Sequence, residues 1–204
     1  MVNLDADQKN IIVTKLKPFL ERNDFVGLRE ALFDLREQVS PENLNFFKIT
    51  DISTWLYEEL GDIYFKDTSW VGWTEFSSSH ITNMSLPKNI LSIETGAFEQ
   101  SSLSKIKLNE GLTHIRTYAF VSTPIKDLVL PSTLRYIGAG AFWFTSLTNI
   151  TFQGDDPCSI DAEEELFDGC SNLTIRIPKD KELHFYGKYD SLDNWIDKYN
   201  VKFI

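Results

Sequence analysis

From residue 76 onward the apolar positions of this chain keep a fixed beat. Phe76, Phe98, Phe120 and Phe142 stand 22 residues apart, and the residues around them recur in the same register. Ile81, Leu103, Ile125 and Leu147 share one column; Met84, Ile106, Leu128 and Ile150 a second; Leu86, Leu108, Leu130 and Phe152 a third. Ile93, Ile115 and Ile137 continue the pattern, as do Ala97, Ala119 and Ala141 just before the later phenylalanines. The segment that carries the first three columns alternates apolar and polar residues, the period of a half-buried strand. A unit this small cannot bury its apolar side alone, so successive units must stack, share one core and pair their strands in parallel. The interleaved Asn83, Ser85, Lys105, Lys107, Asp127, Val129, Asn149 and Thr151 then point outward, onto a predicted concave face.

The first 65 residues have another texture, with apolar residues at helical spacing. Asp5 or Asp7 can cap a helix that carries Ile12, Leu16 and Leu20 on one face and ends near Arg22-Asn23-Asp24. A second helix from about Phe25 presents Leu28, Leu32 and Leu35. Ser40-Pro41-Glu42 forms a helix start, and a further helix should run from about Asp51 through Trp55, Leu56 and Leu60 to a stop at Gly61. No Pro/Gly/Ser linker follows, which predicts rigid attachment, with Trp70 and Trp73 packing the two parts together. The expected division is a helical subdomain over residues 1–65, repeats over 66–177 and an aromatic terminal cap over 178–204 that contains Tyr189, Trp195 and Tyr199.

A period in the low twenties carrying LxxIxL is a leucine-rich-repeat signature. Leu86-Pro87 and Leu130-Pro131 end the strand segment with a residue that cannot donate to a ladder. With the ELFDGCSNLTIRIP run, the LPxxLxxIxxxAF pattern resembles the BspA-like leucine-rich repeats of bacterial surface proteins and large tailed phages, over residues 71–204. The resemblance implies an α+β chain: a solenoid of about four to five coils of ~22 residues with a parallel sheet, behind an N-terminal helical subdomain. It also implies an interaction or adhesion surface rather than one biochemical activity. The helical preface is similar to that of phage-encoded members, which implies a protein partner that is inhibited or sequestered in a host cytoplasm. Two departures stand out. Glu75 occupies the place of the later alanines, so residues 71–76 read as a partial first coil, and the last full unit is swollen by about three residues at 161–165.

Composition narrows the function. The formal net charge is −10, and no basic stripe is available for phosphate contacts, which excludes direct nucleic-acid binding. The run from Asp155 and Asp156 through Asp161, Glu163, Glu164, Glu165 and Asp168 reads as a solvated loop, or otherwise as the surface of an acidic nucleic-acid mimic. Cys158 and Cys170 lack the spacing of a four-ligand metal site, and Cys170 reads as a small core residue. The N-terminus has neither a signal-peptide pattern nor a membrane-length apolar run, which predicts a soluble cytoplasmic protein with no membrane partner.

Catalytic chemistry has no footing. His80, His114 and His184 are scattered over variable repeat positions, and no phosphate loop, metal-spaced cluster or nucleophile elbow occurs. No cofactor, metal or small-molecule ligand is expected, and the chain reads as a non-enzyme. Trp143-Phe144 replace Glu99-Gln100 and Val121-Ser122 of the earlier units, so they mark either an interaction spot or a packing site for Phe185 and Tyr186. The partner-binding candidates are therefore Lys105, Lys107, Asp127, Val129, Asn149, Thr151, Trp143 and Phe144. Protein recognition is the leading function, with surface adhesion to host-cell protein or glycan as the alternative.

Overall fold

The computed structural model describes residues 4–39 and 44–204. Helix α1 (Ala6–Ile11) starts in a capping box, in which the Asp5 carboxylate accepts from the Gln8 N–H at 2.9 Å and the Gln8 side chain accepts from the Asp5 N–H at 2.8 Å. A π-helical turn (Ile12–Leu16) leads into α2 (Lys17–Glu21). Asp24 caps α3 (Phe25–Glu37), which buries Leu28 and Leu32. Helix α4 (Leu44–Leu60) begins earlier than the expected Asp51, and a 3-10 turn (Gly61–Phe65) follows it. The anticipated start at Ser40-Pro41-Glu42 lies outside the described residues.

Twelve short strands then alternate between two parallel ladders. The first ladder holds β1 (Trp70–Val71), β3 (Ser92–Ile93), β5 (His114–Ile115), β7 (Tyr136–Ile137), β9 (Cys158–Ala162) and β11 (Leu183–Gly187). The second line of strands holds β2 (Asn83–Ser85), β4 (Lys105–Lys107), β6 (Asp127–Leu130), β8 (Asn149–Phe152), β10 (Thr174–Ile177) and β12 (Asn200–Phe203), hydrogen-bonded as a β2–β4 pair and a β6–β8–β10–β12 sheet. Register follows the sequence beat: Asn83 lies beside Lys105, and Asp127 beside Asn149 and through it Thr174. The solenoid makes six turns, beyond the four to five that the beat marks. The last turn replaces the phenylalanine corner with α5 (Leu192–Lys198), so it lacks the repeated residues that signal a coil. The first ladder was not legible as strand because most of its members are two residues long, too few to display an alternation.

A column of buried rings runs through the stack. Phe76, Phe98, Phe120, Phe142 and Phe167 lie nearly parallel, with successive centroids 5.5, 5.4, 5.6 and 5.8 Å apart. The extra residues of the swollen coil are thus looped out while Phe167 keeps its place. The N–H groups of Phe76, Phe98 and Phe120 donate to the Ala97, Ala119 and Ala141 carbonyls of the following coil, at 2.8 to 2.9 Å. Three residues after each ring a small side chain is buried, from Ser79 through Ser101, Thr123 and Thr145 to Cys170. The Ser79, Thr123 and Thr145 hydroxyls donate to the carbonyl of their own phenylalanine. Cys170 is the small core residue expected, with Sγ 3.2 Å from Thr145 Oγ1, and both cysteines are free thiols.

Glu75 joins the helices to the first coil. It is buried, and its carboxylate takes both Nε and Nη2 of Arg29 on α3 at 2.8 Å each, the Tyr64 hydroxyl at 2.7 Å and the Gly72 N–H at 2.6 Å. Arg29 Nη2 also donates to the Trp70 carbonyl at 2.8 Å, and its guanidinium lies over the Phe65 ring. Such a bidentate, charge-assisted fork is among the strong polar contacts a fold can make. Along the same end of the stack, α4 meets the free edge of the first coil: Asp51 accepts from the His80 N–H at 3.0 Å, and the Tyr57 hydroxyl accepts from the Ser85 N–H at 3.0 Å. Those contacts satisfy edge donors that would otherwise template strand addition. Helical and repeat residues form one continuous hydrophobic core. Trp70 and Trp73, expected to make this joint, do not: they are 47% and 56% exposed, because the Arg29–Glu75 fork holds the first coil by the Trp70 carbonyl and the Gly72 N–H and leaves the indoles outside.

Breaking the fork leaves one charge buried alone. Glu75→Ala should destabilise by about 3–5 kcal/mol. Adding Arg29→Met to it, which restores the alanine of the later coils and an apolar neighbour, should recover much of the loss in urea unfolding. Acid provides a second test. Burial alone would raise the Glu75 carboxyl, yet Arg29 overrides it and holds the group down at about 2. A depressed folded value adds stability above the ordinary carboxylate range and loses it as the carboxyl protonates. Stability should therefore fall between about pH 4.5 and pH 2, with a shallower slope in Glu75→Gln, as read by urea unfolding at stepped pH.

Candidate functional site

The outward positions of the second line of strands form a row that is polar except at Val129. Lys105 and Lys107 on β4, and Asp127 and Val129 on β6, are exposed; Asn149 and Thr151 on β8 are half-buried. Cross-strand bonds tie part of the row together, since the Asn149 amide donates to Asp127 at 2.8 Å and its oxygen accepts from Arg176 Nη1 at 3.1 Å. The row runs further than expected. Arg176 on β10 and Lys202 on β12 continue the line through Thr151 in strand register. Arg176 was detectable from the alternation in Leu173-Thr174-Ile175-Arg176-Ile177; Lys202 was not, because its strand follows α5 and not a repeat motif. The described outward residues on this side thus include Lys105, Lys107, Arg176 and Lys202 against the single acid Asp127, on a chain with a net charge of −10.

Trp143 and Phe144 sit at a corner of the phenylalanine turn. Their rings stack on each other at 5.1 Å, and Trp143 also stacks on Tyr118 of the preceding coil at 6.1 Å. Trp143 Nε1 donates to Asp168 at 2.8 Å, and the Tyr118 hydroxyl donates to Glu164 at 2.5 Å, a bond that with partial burial pushes Tyr118 up to about 12. Phe144 is 54% exposed and holds a left-handed backbone, φ +52°. The equivalent left-handed positions carry Ser78, Gln100, Ser122 and Gly169. Gly169 leaves room for the Phe144 ring, because a Cβ there would come within 2.2 Å of it. Packing against the C-terminal segment does not occur through the rings expected, since Phe185 meets Trp195 at 5.0 Å and Tyr186 is exposed. Among the described residues no hydrogen bond or ring contact links this corner to the strand row.

Most of the acidic run makes bonds within the fold. In the acidic run, Asp156 pairs with Arg135 at 2.6 Å, Asp161 accepts from Tyr136, Glu164 from Tyr118, Asp168 from Trp143, and Glu165 pairs with Lys198. His80 shares a bond with Asp51 at 2.9 Å beside the α4 edge contact, with its ring largely exposed. Burial pushes the Cys158 thiol up to about 11, away from thiolate reactivity. Among the described residues no group of three or more His, Cys, Asp and Glu side chains is placed to hold a metal ion, and no helix is long and apolar enough to cross a membrane.

The sequence pattern described as the BspA type leucine-rich repeat region matches in six copies over residues 45–187, starting within α4. A solved structure is similar in fold. Pneumococcal vaccine antigen PcpA is 22% identical with a TM-score of 0.51, over 67% of this chain and 34% of that one. A leucine-rich repeat protein from Eubacterium ventriosum is 20% identical with a TM-score of 0.48, over 56% of this chain and 31% of that one. The chain thus spans about a third of the length of each. No curated protein sequence is significantly similar to it. Repeats of this type commonly serve protein–protein or adhesion contacts. The ladders, the phenylalanine column and the six matched repeats make one statement: the chain belongs to the BspA-type leucine-rich-repeat family.

Proposed function

We propose that this chain is a non-enzymatic recognition module that holds a protein partner on its repeat surface, at the Trp143-Phe144 corner and along the outward row of Lys105, Lys107, Asp127, Val129, Asn149 and Thr151. The observation that carries the reading is Phe144. A bulky residue in the left-handed region costs about 1–2 kcal/mol, and such strain gathers at functional positions. Three earlier coils place a polar residue there at the same backbone angle, so the fold has no need of a ring. A half-exposed phenylalanine stacked on a partly buried tryptophan is the sort of anchor that dominates interfaces. The basic row supports a second, electrostatic zone that would steer an acidic partner. In this reading the helical region over 1–65 closes one end of the repeats of 66–177, and the aromatic segment 178–204 closes the other. Sequestration of a target in the cytoplasm is the role we assign, in keeping with the likeness of the helical preface to phage-encoded members.

Affinity capture from the native host separates the zones. Phe144→Gly should keep its melting temperature within about 4 °C, since relief of the backbone strain offsets the lost ring contacts, and yet lose the captured partner. Lys105→Glu/Lys107→Glu should retain the fold and weaken capture in a salt-dependent manner. A partner kept by both variants would refute the assignment, and capture of a glycan in place of a protein would shift it to adhesion.

A further inference from the structure

A cleft of about 570 Å³ opens between α3 and the first coil, a size suited to a small organic ligand. Its apolar lining includes Phe33, Trp70 and Trp73, and the two indoles are about half exposed there. Arg36 also lines it, yet is only 3% exposed. Two turns before Arg36 on the same helix, Arg29 is fully engaged by Glu75. Arg36 is not: its Nε and Nη1 are buried without a partner, and Nη2 reaches the Trp73 carbonyl only at 3.4 Å, the weak limit of a hydrogen bond. A buried guanidinium left in this state is costly and calls for an anion. The mouth has the opposite sign, since Glu30 and Asp34 are exposed at the cleft and Glu94 accepts from Trp73 Nε1 at 3.2 Å.

A simple anion would have to pass three carboxylates, and a simple cation would leave two Arg36 nitrogens unbonded. We infer that the cleft binds a zwitterion with an apolar body, of the class of free apolar amino acids. Its carboxylate takes the Arg36 fork as the loose Trp73 carbonyl contact gives way. The apolar side chain lies against Trp70, Trp73 and Phe33, and the ammonium faces Glu30, Asp34, Glu94 and the indole faces. The site goes beyond the recognition surface proposed above and is independent of it. It also departs from the sequence expectation of no small-molecule ligand, because Arg36 and the tryptophans come from separate segments that only the Arg29–Glu75 fork brings together.

Titration of the full chain with L-phenylalanine, followed by the NMR signals of the Trp70 and Trp73 indole N–H groups, tests the assignment. Saturable shifts are expected, with binding at least about tenfold weaker for phenylalaninamide, which lacks the carboxylate, and for N-acetylphenylalanine, which lacks the ammonium. Arg36→Met should weaken binding to the same degree while its melting temperature holds or rises, because it removes a buried guanidinium with two unbonded nitrogens. Trp73→Ala, at an exposed position, should weaken binding in a folded protein and decides the case if Arg36→Met is unstable. No indole shift, equal binding of phenylalaninamide, or unchanged binding in a folded Arg36→Met would overturn the inference.

Discussion

A repeat of 22 residues solves its burial problem by leaning on the next repeat, and this leaves the first coil with an apolar side and no neighbour before it. At that position the chain places a carboxylate where the later coils have alanine. Glu75 draws Arg29, Tyr64 and the Gly72 N–H onto itself, so α3 and the 3-10 turn that follows α4 become the missing neighbour. A buried ion pair need not add net stability over an apolar contact, but it penalises any arrangement in which either charge is buried alone. The fork therefore specifies which surface of the helices meets the solenoid. With that angle set, Asp51 and Tyr57 reach the free strand edge and a single core forms.

Beyond the joint, the stack is regular because each element of the coil repeats the same physical contact. Ring lies on ring, the phenylalanine N–H meets the alanine carbonyl of the next coil, and a small polar side chain ties down the turn. Regularity of this kind frees the outward positions from structural duty. Departures at those positions then carry information: Phe144 is a ring in a backbone state better suited to glycine, and four basic residues line one side of an acidic chain.

Much of the fold was legible in the sequence because long-range contacts repeat at a fixed interval. The columns of Ile, Leu and Phe disclosed the solenoid, the strand segments of the second line and their outward residues. The two-residue strands of the first ladder were too short to show an alternation, and the last turn was hidden because α5 and Trp195 stand in for the phenylalanine corner. Glu75 was visible as a departure from its column, but its meaning was not, since Arg29 lies 46 residues away in a segment without repeats. The same limit applied to Trp70 and Trp73. Their composition suggested packing, and only the geometry of the fork shows that they wall a cleft above Arg36. The Trp143-Phe144 corner was readable as an anomaly of the repeat, while its stacking on Tyr118 was not.

The helices and the repeats form one cooperative unit through the Arg29–Glu75 fork. Native-state amide hydrogen exchange measures this directly. The amides of α3 and of the first coil from Val71 to Phe76 should exchange with the same opening free energy as those of the central phenylalanine corners, at the level of global unfolding. Exchange of α3 at a distinctly lower free energy, with the repeat amides still protected, would show a helical region that opens alone and would contradict the joint described here.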